Sequence, residues 1–444
     1  MTRDELKESV YMVIDQHADE IIGIGEHIHR HPELGFKELQ TARLVEEIFQ
    51  KLGLNPQIGL ALTGVRVELP GRAGPGPTLA LLGELDALVV DGHPDADPVT
   101  GAAHACGHNA QIAGLLGAAM GLVAVGAVAH LAGRLVLFAV PAEEYGDIAW
   151  RLREREAGRI EFLGGKPELL RLGHFDDVDL AVMIHTTSRP EEGKVGIPVS
   201  NNGCIVKTIR YIGRAAHAGG APHLGVNALY AAQIALAAIN ALRETFRDED
   251  SIRIHPIMTA GGSQVNVIPA DVRLETYVRG KTVAAILEAD RKVDRALRAG
   301  ALALGARVEI RTWPGYLPVA NDPRLSEHFR HVAASLVGPE HVRTLGHRAG
   351  STDMGDLSHV MPALHPYVGG AQGAGHGADY RIQDQSLAYV TTAKLLAGMA
   401  IDLLGDNAQR AREVVAQAKP AMTWAEYLAF QRSITRTEAY DGGS

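Results

Sequence analysis

Three short apolar runs, at residues 78–82, 135–140 and 180–184, constrain the fold of this chain more than anything else in it. Each is rich in Val, Leu or Ile and is continuous rather than alternating. That is the pattern of a strand covered on both faces, as in the parallel sheet of an α/β protein. Helical stretches at about 110–130 and 148–172 lie between the runs, as right-handed crossovers require. Each run is followed by polar chemistry: Glu84 and Asp86, then Glu143 and Glu144, then His185. Open α/β sheets bind ligands outside the carboxyl ends of their strands, so a site is expected there.

The stretch from 83 to 111 is the densest in chemistry. It places His104, Cys106 and His108 at i, i+2 and i+4, separated by Ala and Gly. In extended backbone that spacing turns three potential ligands to one side. Any one of them reads equally well as a buried or capping residue. Together, with an acidic pair one strand earlier, they read as a metal site.

A chain of 444 residues is too long for one ordinary core, so at least two domains are expected. The net charge of -9 and the lack of a basic run argue against nucleic acid as a partner. Two cysteines, Cys106 and Cys204, exclude a disulfide framework and suit a reducing cytoplasm. The acidic, amphipathic N-terminal stretch does not read as a signal peptide. Residues 112–133 carry no formal charge and are long enough to cross a bilayer. Strand-like runs flank them, so a helix buried against a sheet is expected and no membrane.

The periodicity predicts a helix over 4–30 and a second over 38–52. From about 204 the order becomes β-α-β-β-α-β. Strands are expected at 206–211, 252–258, 273–278 and 306–310, and helices at 225–246 and 283–304. This is a ferredoxin-like α+β module inserted in a larger domain. After about 315 the chain returns to the first domain. Its end, after about 406, is expected to be helical, then polar and frayed. The division is therefore 1–203 with 316–444, and 204–315 inserted.

Taken in order, HRHPELGF (29–36), GELDAL, HACGHN, PAEEYGD, GRAAHAGGAPHLGVNAL, GGSQVNVIPADV, GSTDMGDLSHVMP and GAGHG make the chain resemble the M20 metallopeptidases over nearly its whole length. The nearest branch is subfamily D, which hydrolyses N-acyl amino acids and aminobenzoyl-glutamate. The resemblance implies a zinc-peptidase-like catalytic domain, with a mixed, largely parallel sheet flanked by helices. It also implies that the inserted module is a lid and dimerisation domain, and hence a homodimer. The reaction implied is hydrolysis of a linear amide in a small N-acyl or aminoacyl amino acid.

Carried over by position, two divalent ions would be held by Cys106 as bridging thiolate and by His108, Glu144, His185 and His376. Such donors suit Zn²⁺, with Mn²⁺, Co²⁺ or Ni²⁺ also compatible. Glu143 would be the general base, and Asp86 would orient a ligand histidine. His104 belongs to the motif but is not a ligand there. His217, in the inserted module, would contact the scissile carbonyl oxygen, often from the neighbouring subunit, with Asn266 assisting. Arg279 and the turn at Gly350, Ser351 and Thr352 would meet a substrate carboxylate.

The chain departs from the branch in three places. Asn109 stands where Asp is common after Gly-His. The loop over 89–100 is longer and more acidic, with His93 as an extra histidine. Thr186, Thr187 and Ser188 also differ from the usual pattern. The alternatives are a dipeptidase, with the acidic loop at 91–97 contacting a free amino terminus, or a non-catalytic partner subunit. All the implied ligands and the base are present, which disfavours the second. No phosphate-binding glycine motif supports a nucleotide-binding protein.

Overall fold

The computed structural model describes residues 1–443. It divides into two compact units. The first holds Met1–Val199, Val319–Gly346 and Asp356–Trp424, and the second holds Ser200–Pro318, His347–Gly355 and the chain from Ala425 onward.

The first unit is built on a six-stranded mixed sheet. Its order is Gln57–Leu60, Gly64–Pro70, Arg134–Val140, Thr78–Glu84, Leu180–Met183 and Ala363–Leu364. The last four are mutually parallel, and the first two join antiparallel at one edge. Thr78–Glu84 is buried along its whole length, as its unbroken apolar run requires. In the parallel register Glu84 stands beside Val140 and Leu82 beside Met183. The ends of three neighbouring strands therefore face the same way, and the polar residues after each share one side of the unit.

The segment that imitates a membrane span is the core helix His108–Ala124, buried around nearly its full circumference. Its glycines permit close helix contact. A Cβ on Gly114 would stand 2.5 Å from Thr392 Cγ2, and one on Gly121 2.7 Å from Ile14 Cγ1. The helix long and apolar enough to cross a bilayer is instead Ser386–Gln417, and it too is mostly buried. The expected N-terminal helix is broken at His17 into Arg3–Gln16 and Ala18–His29. The expected helix over 148–172 is likewise two short ones, Ile148–Glu156 and Gly165–Arg171, with Gly158 at positive φ between them.

The second unit has the expected β-α-β-β-α-β order. Strands Arg253–Ile254, Asp271–Gly280, Val195–Ile212 and Arg307–Pro314 pair antiparallel in that spatial order, with Ile257–Ala260 also on Asp271–Gly280. Helices Ala228–Leu242 and Val283–Leu304 share one apolar core with them.

The sequence predicts 316–444 wholly in the first domain, with a frayed tail. The structure differs on both points. Residues 347–355 and the chain from 425 lie in the second unit. Arg436–Asp441 is a strand paired with Arg307–Pro314, from Arg307 opposite Asp441 to Thr312 opposite Arg436. A buried charge cluster fixes it. Lys207 Nζ lies 2.6 Å from both Asp290 and Asp294, and Arg436 reaches the same two carboxylates. Two buried acids against two cations leave no net charge to solvate.

Candidate metal centre

Cys106 belongs to two groups of potential ligands at once. In each, one atom per side chain lies within 4.8 Å of the others: Cys106, His108 and His185 in one, Cys106, Glu144 and His376 in the other. Backbone geometry brings them together. Gly107 has φ +95° and caps the helix that begins at His108. A Cβ there would stand 2.0 Å from Thr186 Oγ1, so only glycine lets the cysteine loop pack against the strand end that carries His185. The amide of His376 donates to the Ala105 carbonyl at 2.8 Å and ties the GAGHG loop to the same place.

Hydrogen bonds set the imidazoles. His108 Nδ1 donates to the Asp86 carbonyl at 2.8 Å, and His185 Nδ1 donates to the Thr186 carbonyl at 2.7 Å. A carbonyl only accepts, so each proton sits on Nδ1 when the ring is neutral. Each Nε2 then presents a bare lone pair, the state a metal requires. His185 Nε2 lies 3.3 Å from Cys106 Sγ, and His376 Nε2 lies 3.1 Å from Glu144 Oε1. His108 Nε2 is buried and makes no hydrogen bond, although Glu84 Oε2 is 3.1 Å away. Asp86 touches a second candidate ligand: its Oδ2 accepts the Glu144 amide at 2.8 Å.

The cluster attracts positive charge. Burial resists ionisation of Cys106, yet the imidazoles of His185, His108 and His376 outweigh it and bring the thiol down to about 5. Glu144 pushes His376 up to about 12 against burial, with Cys106 assisting. Burial lowers His108, but Glu84 and Cys106 hold it well above its ordinary range. A thiolate and a carboxylate that draw protons onto the neighbouring imidazoles form a donor set fitting for a borderline divalent cation, which would take the place of those protons.

Glu143 lies in a third group, with Glu84 and His108, its Oε2 3.9 Å from His108 Nε2. Sequence reasoning missed what surrounds this group. Glu84 is fully buried, paired with buried Lys166 Nζ at 2.5 Å, and accepts from Gln111 Nε2 at 2.7 Å. His365 is buried 5.7 Å from the His185 ring, Nδ1 donating to the Met183 carbonyl at 3.3 Å. Burial, then His185, lowers it to about 3, so it stays neutral. It follows the two-residue strand Ala363–Leu364, the last of the four parallel strands. Thr186 and Tyr380 hydroxyls are 2.7 Å apart, and Thr186 also donates to the Cys106 carbonyl.

Other marked residues have structural partners. Asn109 donates to the Gly25 carbonyl and to Tyr389 Oη, which an aspartate cannot do. His104 is buried with no hydrogen bond at either nitrogen. The 89–100 loop is pinned: His93 Nε2 donates to the Tyr380 carbonyl, Asp95 pairs with His29 at 3.2 Å, and Asp97 caps its own turn at Thr100.

The remaining marked residues lie in the second unit. His217 Nδ1 accepts from the amides of Gly219 and Gly220, which leaves Nε2–H as an exposed donor. The Asn266 carbonyl accepts from the Ala218 amide, so these two loops are joined. Arg279 lies over the Tyr277 ring at 4.9 Å. Gly350 and Ser351 end the strand Val342–Ser351 rather than forming the expected turn.

The profile of a single family, described as Peptidase family M20/M25/M40, matches residues 80–401. The chain belongs to that family. As an M20 member it is a hydrolase. It is 29% identical to a mouse Xaa-Arg dipeptidase over 430 residues, covering 90% of this chain and 89% of that one. It is 27% identical to an N-acyl-L-amino acid amidohydrolase of Geobacillus stearothermophilus, covering 73% and 84%. Its fold is similar to that of a Bacillus subtilis protein described as a dinuclear metal binding peptidase from the M20 family. There the TM-score is 0.64 at 21% identity, covering 88% of this chain and 99% of that one.

Proposed function

We propose that this M20 hydrolase is a metal-dependent amidohydrolase of the subfamily D type. It cleaves the amide between an acyl or aminoacyl group and an amino acid with a free carboxylate. The observation that carries this reading is the place of Cys106 in two ligand groups at once, with Glu143 beside Glu144. Cys106, His108, Glu144, His185 and His376 would hold two divalent ions, Zn²⁺ or Mn²⁺ by donor type, with Co²⁺ and Ni²⁺ compatible. Bound there, the ions would acidify a water and polarise the amide carbonyl. Glu143 takes that water's proton and returns it to the nitrogen as the C–N bond breaks, giving a carboxylate and a free amine. His217, protonated on Nε2, donates to the developing oxyanion, with Asn266 beside it. Asp86 fixes His108 and Glu144. Arg279, with Gly350, Ser351 and Thr352, receives the substrate carboxylate.

The reading includes a homodimer through the second unit. Support comes from its exposed apolar residues, Tyr230 and Ile234 on one helix and Ile257 and Met258 on the fully exposed strand Ile257–Ala260. Two cysteines, neither in a disulfide, support a cytoplasmic location. The mouse relative favours the dipeptidase form of the same chemistry, in which the acyl group is an aminoacyl group.

The test is release of amino acid from acetyl, benzoyl, indoleacetyl and aminobenzoyl conjugates and from β-alanyl dipeptides, with divalent metal supplied. Turnover that disappears in Glu143→Ala is expected. Turnover retained in Glu143→Ala would overturn the assignment of the base. No turnover with any substrate or metal would overturn the amidase.

A further inference from the structure

The second unit carries a pair of arginines that nothing in the fold explains. In the antiparallel ladder between Arg253–Ile254 and Asp271–Gly280, Arg253 stands directly opposite Arg279. Like charges directly opposite on neighbouring strands repel. An intervening carboxylate would relieve them, but among the described residues neither has an acidic partner. Arg279 stacks on Tyr277, and its Nε is buried without a hydrogen bond. Arg253 Nη1 donates to the Ile252 carbonyl next to it.

The surroundings add positive charge. His255 is lowered by burial and then by Arg243, Arg279 and Arg253. His347 is lowered by burial and then by Lys281 and Arg253. Acids occur close by in sequence, at Asp248, Glu249 and Asp250, and Glu249 pairs with Arg247 at 3.5 Å. The region is also held firmly. Asn202 Nδ2 donates to the Ser251 and Ala349 carbonyls, and Asn202 Oδ1 and Ser200 Oγ meet the two nitrogens of His347. Ser351, two residues beyond Ala349, has a buried hydroxyl without a partner.

We infer that Arg253 and Arg279 form a two-carboxylate site, and that the amino acid released by this enzyme is acidic. A guanidinium fork fits one carboxylate, so two adjacent forks match a dicarboxylate charge for charge. Half-buried Arg279 takes the α-carboxylate, and exposed Arg253 takes the carboxylate of the side chain. A neutral amine half leaves Arg253 facing Arg279 uncompensated, and a basic one adds a third cation. The inference rests on the amidase reading for its place in catalysis, while the site itself is a property of the second unit alone.

The test compares N-acetylglutamate with its neutral isostere N-acetylglutamine, for turnover and for equilibrium binding to the chelator-treated full chain by calorimetry. The expected result is a preference for the glutamate of about tenfold or more in kcat/KM and in Kd. Arg253→Gln and Arg253→Ala should bring that ratio close to one, and Arg279→Ala should weaken both compounds together. Equal kcat/KM for the two, or a preference that survives both Arg253 variants, would overturn the inference. If neither compound turns over, the acetyl group is not a substrate acyl group and binding decides. Tighter glutamate binding lost in Arg253→Gln supports the site, and equal or absent binding overturns it.

Discussion

Asp86 meets two candidate ligand residues: its carbonyl accepts from His108 Nδ1, with its Oδ1 also 3.2 Å from that nitrogen, and its Oδ2 accepts the Glu144 amide. The first bond is main-chain and survives substitution. The second does not. Asp86→Ala should therefore leave the His108 tautomer in place while freeing the Glu144 loop. Such supporting contacts are worth about 10–100-fold in metal affinity. Competition with a chromophoric chelator should show a loss of that order in Asp86→Ala. An unchanged affinity would mean that Glu144 is positioned by something else.

Glu84 and Lys166 form a fully buried ion pair, 82 residues apart in sequence. Removing one member strands the other. Lys166→Met should destabilise the protein by about 3–5 kcal/mol in chemical denaturation, and Lys166→Met with Glu84→Gln should recover part of the loss. Recovery fails if the Glu84 charge itself is needed to hold His108.

Glu38 supplies a pH signature. It is buried, accepting from Thr63 Oγ1 and the Ala142 amide, and burial followed by the charge of Asp86 raises it from 4.5 to about 7. A carboxyl held above its unfolded value stabilises the fold while protonated. That contribution is fully present below about 4.5 and is lost as the pH rises through about 7. Glu38→Gln should therefore raise Tm at pH 8 and lose its advantage near pH 4. An equal effect at both ends would show that Glu38 does not titrate in this window.

What could be read from the sequence follows from locality. Cys106 and His108 stand in one tight loop, and Glu84, Glu144 and His185 follow continuous apolar runs, so pattern alone places them at one end of a sheet. Lys166 lies in a seven-residue helix with no pattern of its own, and only the parallel register puts it against Glu84. His365 follows a two-residue strand, too short to register as a run. The C-terminal strand is the instructive failure. RTEAYD alternates half-buried with exposed residues and buries none fully, and its partner strand lies more than a hundred residues earlier. Nothing local signals that pairing.

That strand gives the next test. Arg436 balances Asp290 and Asp294 together with Lys207. Arg436→Met should destabilise the second unit by about 3 kcal/mol or more, since it leaves excess buried negative charge. Limited proteolysis should then cut near 425–444 where the wild type resists. Resistance in the variant would mean that the ladder alone holds the tail.

In the proposed function Cys106 joins two metal positions that carry the hydrolysis. The most direct test strips the protein with chelator, returns Zn²⁺ or Mn²⁺ in steps, and measures bound metal per chain and amide hydrolysis at each step. Activity should rise until about two ions are bound per chain, and Cys106→Ala should lose both stoichiometric binding and turnover. Full turnover in the stripped protein, or a Cys106→Ala variant that binds and works as the wild type does, would contradict the account.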